Sequence, residues 1–133
     1  MKIEERTTKF AVRIIRLHIA MLKCKTSTHR ILGDQLLRSG TSIGACVREA
    51  ISAESKSDFI HKMNIAQKEA RETDYWLHIL TESGLYPPDR LKDLQQEIRS
   101  IVAIISTIVI KTKRTAAAQK TEKNSQPRVT RNP

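Results

Sequence analysis

The chain has 133 residues, of which 24 are Lys or Arg and 14 are Asp or Glu, giving a formal charge of +10; this is the length of one domain, and the charge favours polyanionic partners. Four Gly, four Pro and 4% aromatic residues are too few turn formers and strand-forming aromatics for a β-sandwich or barrel. Cys24 and Cys46 cannot make a disulfide scaffold, and Lys2, Glu4, Glu5 and Arg6 interrupt any apolar signal core, so a cytoplasmic protein with reduced thiols is expected.

Phe10, Ile14, Leu17 and Met21 are spaced 4, 3, 4, with Ile15, Ile19 and Leu22 widening the core-facing side, which predicts a helix from about Glu4 to Lys23. The segment CKTSTH breaks it, and Ser27 or Thr28 is the expected cap of a second helix from about His29 to Ala53. Leu32, Leu36, Ser39, Ile43, Cys46 or Val47, and Ala50 align on one face of this helix. Its centre, SGTSIGA, places small residues where bulk is expected. Each interior glycine costs about 1 kcal/mol relative to Ala, so a loop competes with a helix there; a helix is tolerated if a neighbour approaches the backbone closely.

The third helix opens at Ser55 or Ser57, with Asp58 in its first turn. Its buried stripe runs through Phe59, Met63, Ala66, Ala70, Leu77 and Leu80, with Trp76 alongside, to a stop at Gly84 and a Tyr86-Pro87-Pro88 turn. Leu91, Leu94, Ile98, Ile101, Ile105 and Ile108 are spaced 3, 4, 3, 4, 3, which favours a fourth helix over a strand despite the β-branched run IVAIISTIVI. That run is far shorter than the roughly 20 residues a membrane span needs. Val102, Ile104 and Val109 fall off the stripe, so this helix is apolar on more than one face and invites a second subunit.

Through Ile110 there are 17 basic and 13 acidic residues; from Lys111 onward there are 7 basic residues and a single acid, Glu122. More than half of the net charge therefore belongs to the last stretch. With almost no apolar residues to bury, residues 114–133 are expected to be a disordered basic tail, with at most a short helical extension through Ala116 to Ala118. The whole reads as all-α: an antiparallel up-down-up-down four-helix bundle over residues 1–113, followed by that tail.

Catalytic and metal signals are weak. No Glu-x-x-His pair of the di-iron bundles and no Cys-x-x-Cys pair occurs, and Glu54, Asp58 and His61 straddle a helix start. Cys46 with His61 or His78 is the one thiol–imidazole combination, but Cys46 sits among apolar and small residues, the setting of an inert thiol. Gly40 and Gly44 form a close-packing pattern, not a phosphate loop. No enzyme, metal or cofactor is expected. The candidate nucleic-acid-binding cations are Arg30 and Arg48, five helical turns apart, with Arg38 to one side; Lys62, Lys68 and Arg71 on helix three, interleaved with Glu69, Glu72 and Asp74; and Lys111, Lys113 and Arg114. Tyr75, Trp76 and Tyr86 are the only candidates for base stacking among these elements, Trp76 being expected in the core.

Residues 32–80 resemble the four-helix-bundle proteins encoded in intervening sequences of bacterial 23S ribosomal RNA. The motif residues are Gln35, Leu36, Arg38 and Ser39, then Ser42 and Ile43, then the segment Ala45 to Ala50 with Cys46 where the family usually has Asn, and later Ser55 to Phe59 and Lys68 to Thr73. The resemblance implies a bundle without known catalytic activity that assembles as a ring, typically a pentamer. It extends to accessory proteins of diversity-generating retroelements, which bind nucleic acid and partner a reverse transcriptase. A homo-oligomer binding RNA, or an RNA and DNA hybrid, is the expected function; a scaffold serving a reverse transcriptase is the competing one.

Overall fold

In the computed structural model, which describes residues 1–125, four helices account for nearly all of the chain: α1 (Ile3–Leu22), α2 (Ser27–Ile51), α3 (Lys56–Glu82) and α4 (Pro88–Ser125). Their ends follow local chemistry. The hydroxyl of Thr26, whose backbone is extended, accepts from the His29 N–H at 3.2 Å, so the α2 cap is Thr26 and not Ser27 or Thr28, which already lie inside the helix. Ser55 caps α3 by accepting from the Asp58 N–H at 3.0 Å. Gly84, at φ +68, turns the chain after α3 in the left-handed region that glycine tolerates best. His29 Nε2–H donates to the Leu85 carbonyl at 2.7 Å, while its Nδ1 faces the Thr26 hydroxyl, pinning the start of α2 to the α3–α4 turn.

Each helix packs on its sequence neighbours and α1 closes on α4, the loosest seam; no diagonal pair touches among the described residues. Phe10, Ile14, Leu36, Ile43, Leu77 and Ile101 are among the fully buried side chains that meet at the centre. Thr73 donates to the Glu69 carbonyl at 2.8 Å and lies 3.0 Å from the Ser39 hydroxyl, so the buried polar pair between α2 and α3 is satisfied. None of the described helices is long and apolar enough to cross a membrane.

The centre of α2 is helical, as expected where a neighbour approaches the backbone closely: a Cβ on Gly40 would lie 2.9 Å from both γ carbons of Ile14. Three expectations are revised. Ile15, Ile19 and Leu22 do not face the core; they are 42%, 54% and 51% exposed, because a helix touching two neighbours buries only one stripe. The α4 stripe ends on buried Val109 instead of half-buried Ile108: at 3.6 residues per turn, a strict 3, 4 repeat drifts off the seam.

Finally, α4 continues to Ser125, through the stretch from Arg114 that was expected to be disordered. A formed helix extends without a new nucleus, and Ala116, Ala117, Ala118, Gln119 and Lys120 are good helix formers. The Lys56 ammonium also donates to the Gln119 side chain. Residues 126–133, the rest of the expected tail, lie outside the described residues.

Candidate nucleic-acid interface

The cations singled out in the sequence do not converge. Arg38, though exposed, is held by Glu72 and by Glu69 at 3.3 Å, and the Glu72 hydrogen bond, then the charges of both acids, raise its already high pKa. Lys62 Nζ lies 3.3 Å from Glu49. Arg30 and Arg48 are exposed on one side of α2 but about 27 Å apart at 1.5 Å per residue. Lys68 and Arg71 are exposed on α3, and Lys111, Lys113 and Arg114 are exposed on α4, near where it leaves the bundle.

A denser positive surface lies on the α1–α4 seam. Lys9, Arg13 and Arg16 recur at spacings of 4 and 3 and so form one row along α1. Arg13, Arg16 and Arg90 line one groove whose floor is Leu17, Ala20, Tyr86 and Leu94. Arg13 also lines the next groove along the seam, with Met1, Arg6, Lys9 and Glu97. Five cations thus share the seam with Glu97, which is already engaged: Arg6 grips it through two nitrogens, one at 3.1 Å, and that hydrogen bond raises the Arg6 pKa. Lys9, Arg13, Arg16 and Arg90 make no ion pair among the described residues. The row was legible in the sequence as a 4, 3 spacing of basic residues on α1; Arg90, contributed by the first turn of α4, needed the fold.

A second groove separates α3 from α4 and is lined by Arg71, Asp74, Tyr75, His78 and Arg99. Trp76, beside it, packs against the core as the sequence implied, and Tyr86 is buried.

Cys46 is half-buried, and its thiol is pushed up first by burial and then by Glu49 and Glu69, against Lys62. A protonated thiol is a poor nucleophile. Among the described residues, no three His, Cys, Asp or Glu side chains lie together in a group able to hold a metal ion.

The sequence profile of the 23S rRNA-intervening sequence proteins matches residues 1–107, covering all four helices up to the part of α4 that projects from the bundle. The chain belongs to this family. A solved relative is a protein of unknown function from the S23 ribosomal protein family of Bacteroides thetaiotaomicron. It shares 37% identity, covers 81% of this chain and 98% of its own length, and superposes with a TM-score of 0.75. No curated protein matches the chain. The family match ends before Lys111, so the cations of the α4 extension lie outside the shared part, whereas the α1–α4 seam lies within it.

Proposed function

We propose that this protein is a non-enzymatic, cytoplasmic homo-oligomer that binds structured RNA through phosphate contacts. The observation that carries this reading is the α1–α4 seam, where Lys9, Arg13, Arg16 and Arg90 stand without carboxylate partners among the described residues. The Lys9 to Arg16 row is about 10 Å long, the axial length of roughly three phosphates on one strand. Such contacts fix the register of a polyanion without reading its sequence. The α4 extension adds exposed Lys111, Lys113, Arg114, Lys120 and Lys123 on a helical arm.

Affinity for a labelled, structured RNA, followed by fluorescence anisotropy, is expected to fall steeply between 50 and 200 mM salt. Deletion of residues 114–133 should weaken it further. Binding that is absent, or that ignores salt, would sink the proposal. RNA affinity that emerges only with a polymerase partner present would favour the scaffold reading.

Self-association rests on a separate face. Val12, Ile15, Ile19 and Leu22 form an exposed apolar row on α1, each at least 41% exposed. This row lies roughly 100° around α1 from the basic row, so subunit contact and phosphate binding need not compete, and the cations would repeat around an assembly. Ile15→Asp with Ile19→Asp is expected to yield a monomer by light scattering with an unchanged helical circular dichroism spectrum. A wild-type chain already monomeric at micromolar concentration would refute the oligomer.

A further inference from the structure

We infer that the α3–α4 groove is a site for one unpaired nucleobase of an RNA strand, stacked on Tyr75; this rests on the RNA-binding reading and specifies which RNA it favours. Arg71, Tyr75 and His78 recur at spacings of 4 and 3, so they form one row along α3, and Arg99 faces them from α4. The groove they enclose with Asp74 measures about 340 Å³, within the size range of small-ligand sites.

Three features fit a base. Tyr75 is 55% exposed, the one aromatic ring left so open among the described residues of a chain that is only 4% aromatic. Trp76 braces it at a centroid distance of 5.4 Å and a 58° tilt. Because Trp76 is itself packed on the core, the tyrosine ring is held in place while remaining open to solvent, so stacking orders little that is not already ordered.

The polar groups are also unspent. The Asp74 carboxylate lines the groove with its side chain 37% exposed, and Arg99 Nε, 3.9 Å from Oδ1, is too far to donate to it. An amino or imino N–H on the edge of a base would find an acceptor in the exposed part of this carboxylate. Arg71 and Arg99 then flank the base where its phosphates pass. A paired base in a duplex shows no free face, so this groove selects unpaired nucleotides. The α1–α4 seam has cations but no exposed ring, and does not discriminate in this way.

The test compares two probes on the full-length protein: a 12-nucleotide single-stranded RNA carrying 2-aminopurine, and a blunt 12-base-pair RNA duplex. The wild type is expected to quench 2-aminopurine. Tyr75→Ala should lose the quench and weaken single-strand binding by roughly tenfold to a hundredfold, with duplex affinity unchanged; Tyr75→Phe should behave as wild type. Because Tyr75 is exposed, the thermal melts of the variants should match. If Tyr75→Ala binds the single strand as tightly as wild type, or weakens both probes equally, the base site is overturned while RNA binding stands. If the wild type binds neither probe, both readings fall.

Discussion

Ile14→Ala is expected to destabilise the bundle by about 2–5 kcal/mol, the cost of emptying a fully buried core position. The informative partner is Gly40. An alanine in the middle of an exposed helix gains about 1 kcal/mol over glycine, yet here its Cβ would lie 2.9 Å from Cγ1 and Cγ2 of Ile14. Ile14 is β-branched and enclosed, so neither carbon can swing aside, and overpacking of about 1–3 kcal/mol outweighs the gain in propensity. Gly40→Ala alone should therefore destabilise by up to about 2 kcal/mol. In the Ile14→Ala background both clashing carbons are gone, leaving only Ile14 Cβ, at 3.3 Å. There the same substitution fills part of the cavity and should stabilise by about 1 kcal/mol. The reversal of sign is the test. It is read from guanidinium unfolding midpoints at fixed protomer concentration, since assembly would itself add stability. Gly40→Ala effects of the same sign in both backgrounds would show that the helix approach is not what requires glycine.

How much of this molecule could be read before its fold was known depends on the range of the signal. Periodicity is local, and it placed four helices and most of the core; Phe10, Ile14, Leu36, Ile101 and Ile105 are all buried. The cap at Thr26, one residue before the expected Ser27 and two before Thr28, was less visible because all three side chains can cap and only backbone angles choose among them. The glycines of α2 looked like a liability because propensity is intrinsic to a residue, whereas Ile14, which requires Gly40, is 26 residues away on another helix. The α4 extension was misjudged for the opposite reason: it rests mainly on a helix already nucleated at its start, with one tertiary hydrogen bond from Lys56 to Gln119.

The candidate site was the least legible. A count of charges cannot say which are neutralised, and Arg38 and Lys62 proved to be paired with acids on adjoining helices. Arg13 and Arg90 are far apart in sequence but line one groove. The division of charge by segment had drawn attention to the C-terminal stretch, although the first helix carried an unpaired basic row of its own.

Replacing Arg13, Arg16 and Arg90 together by glutamine separates local phosphate binding from simple net charge. All three stand free of ion pairs among the described residues, so the variant should fold as the wild type does. If each contacts one phosphate, removing three should flatten the slope of log affinity against log salt by about 2–3 and weaken structured-RNA binding on the order of a hundredfold at low salt. A charge-matched control is available on α2: Arg30, Arg38 and Arg48 to glutamine also removes three positive charges. Arg38 is already bridged to Glu69 and Glu72, and Arg30 and Arg48 are too widely spaced to grip neighbouring phosphates, so this control should shift the slope by less than about 1. Anisotropy titrations from 50 to 300 mM salt would distinguish the two. Equal losses from both triples would mean that the protein attracts RNA by overall charge and that the seam is not the site; a loss confined to the seam triple would locate the phosphates on α1 and the first turn of α4.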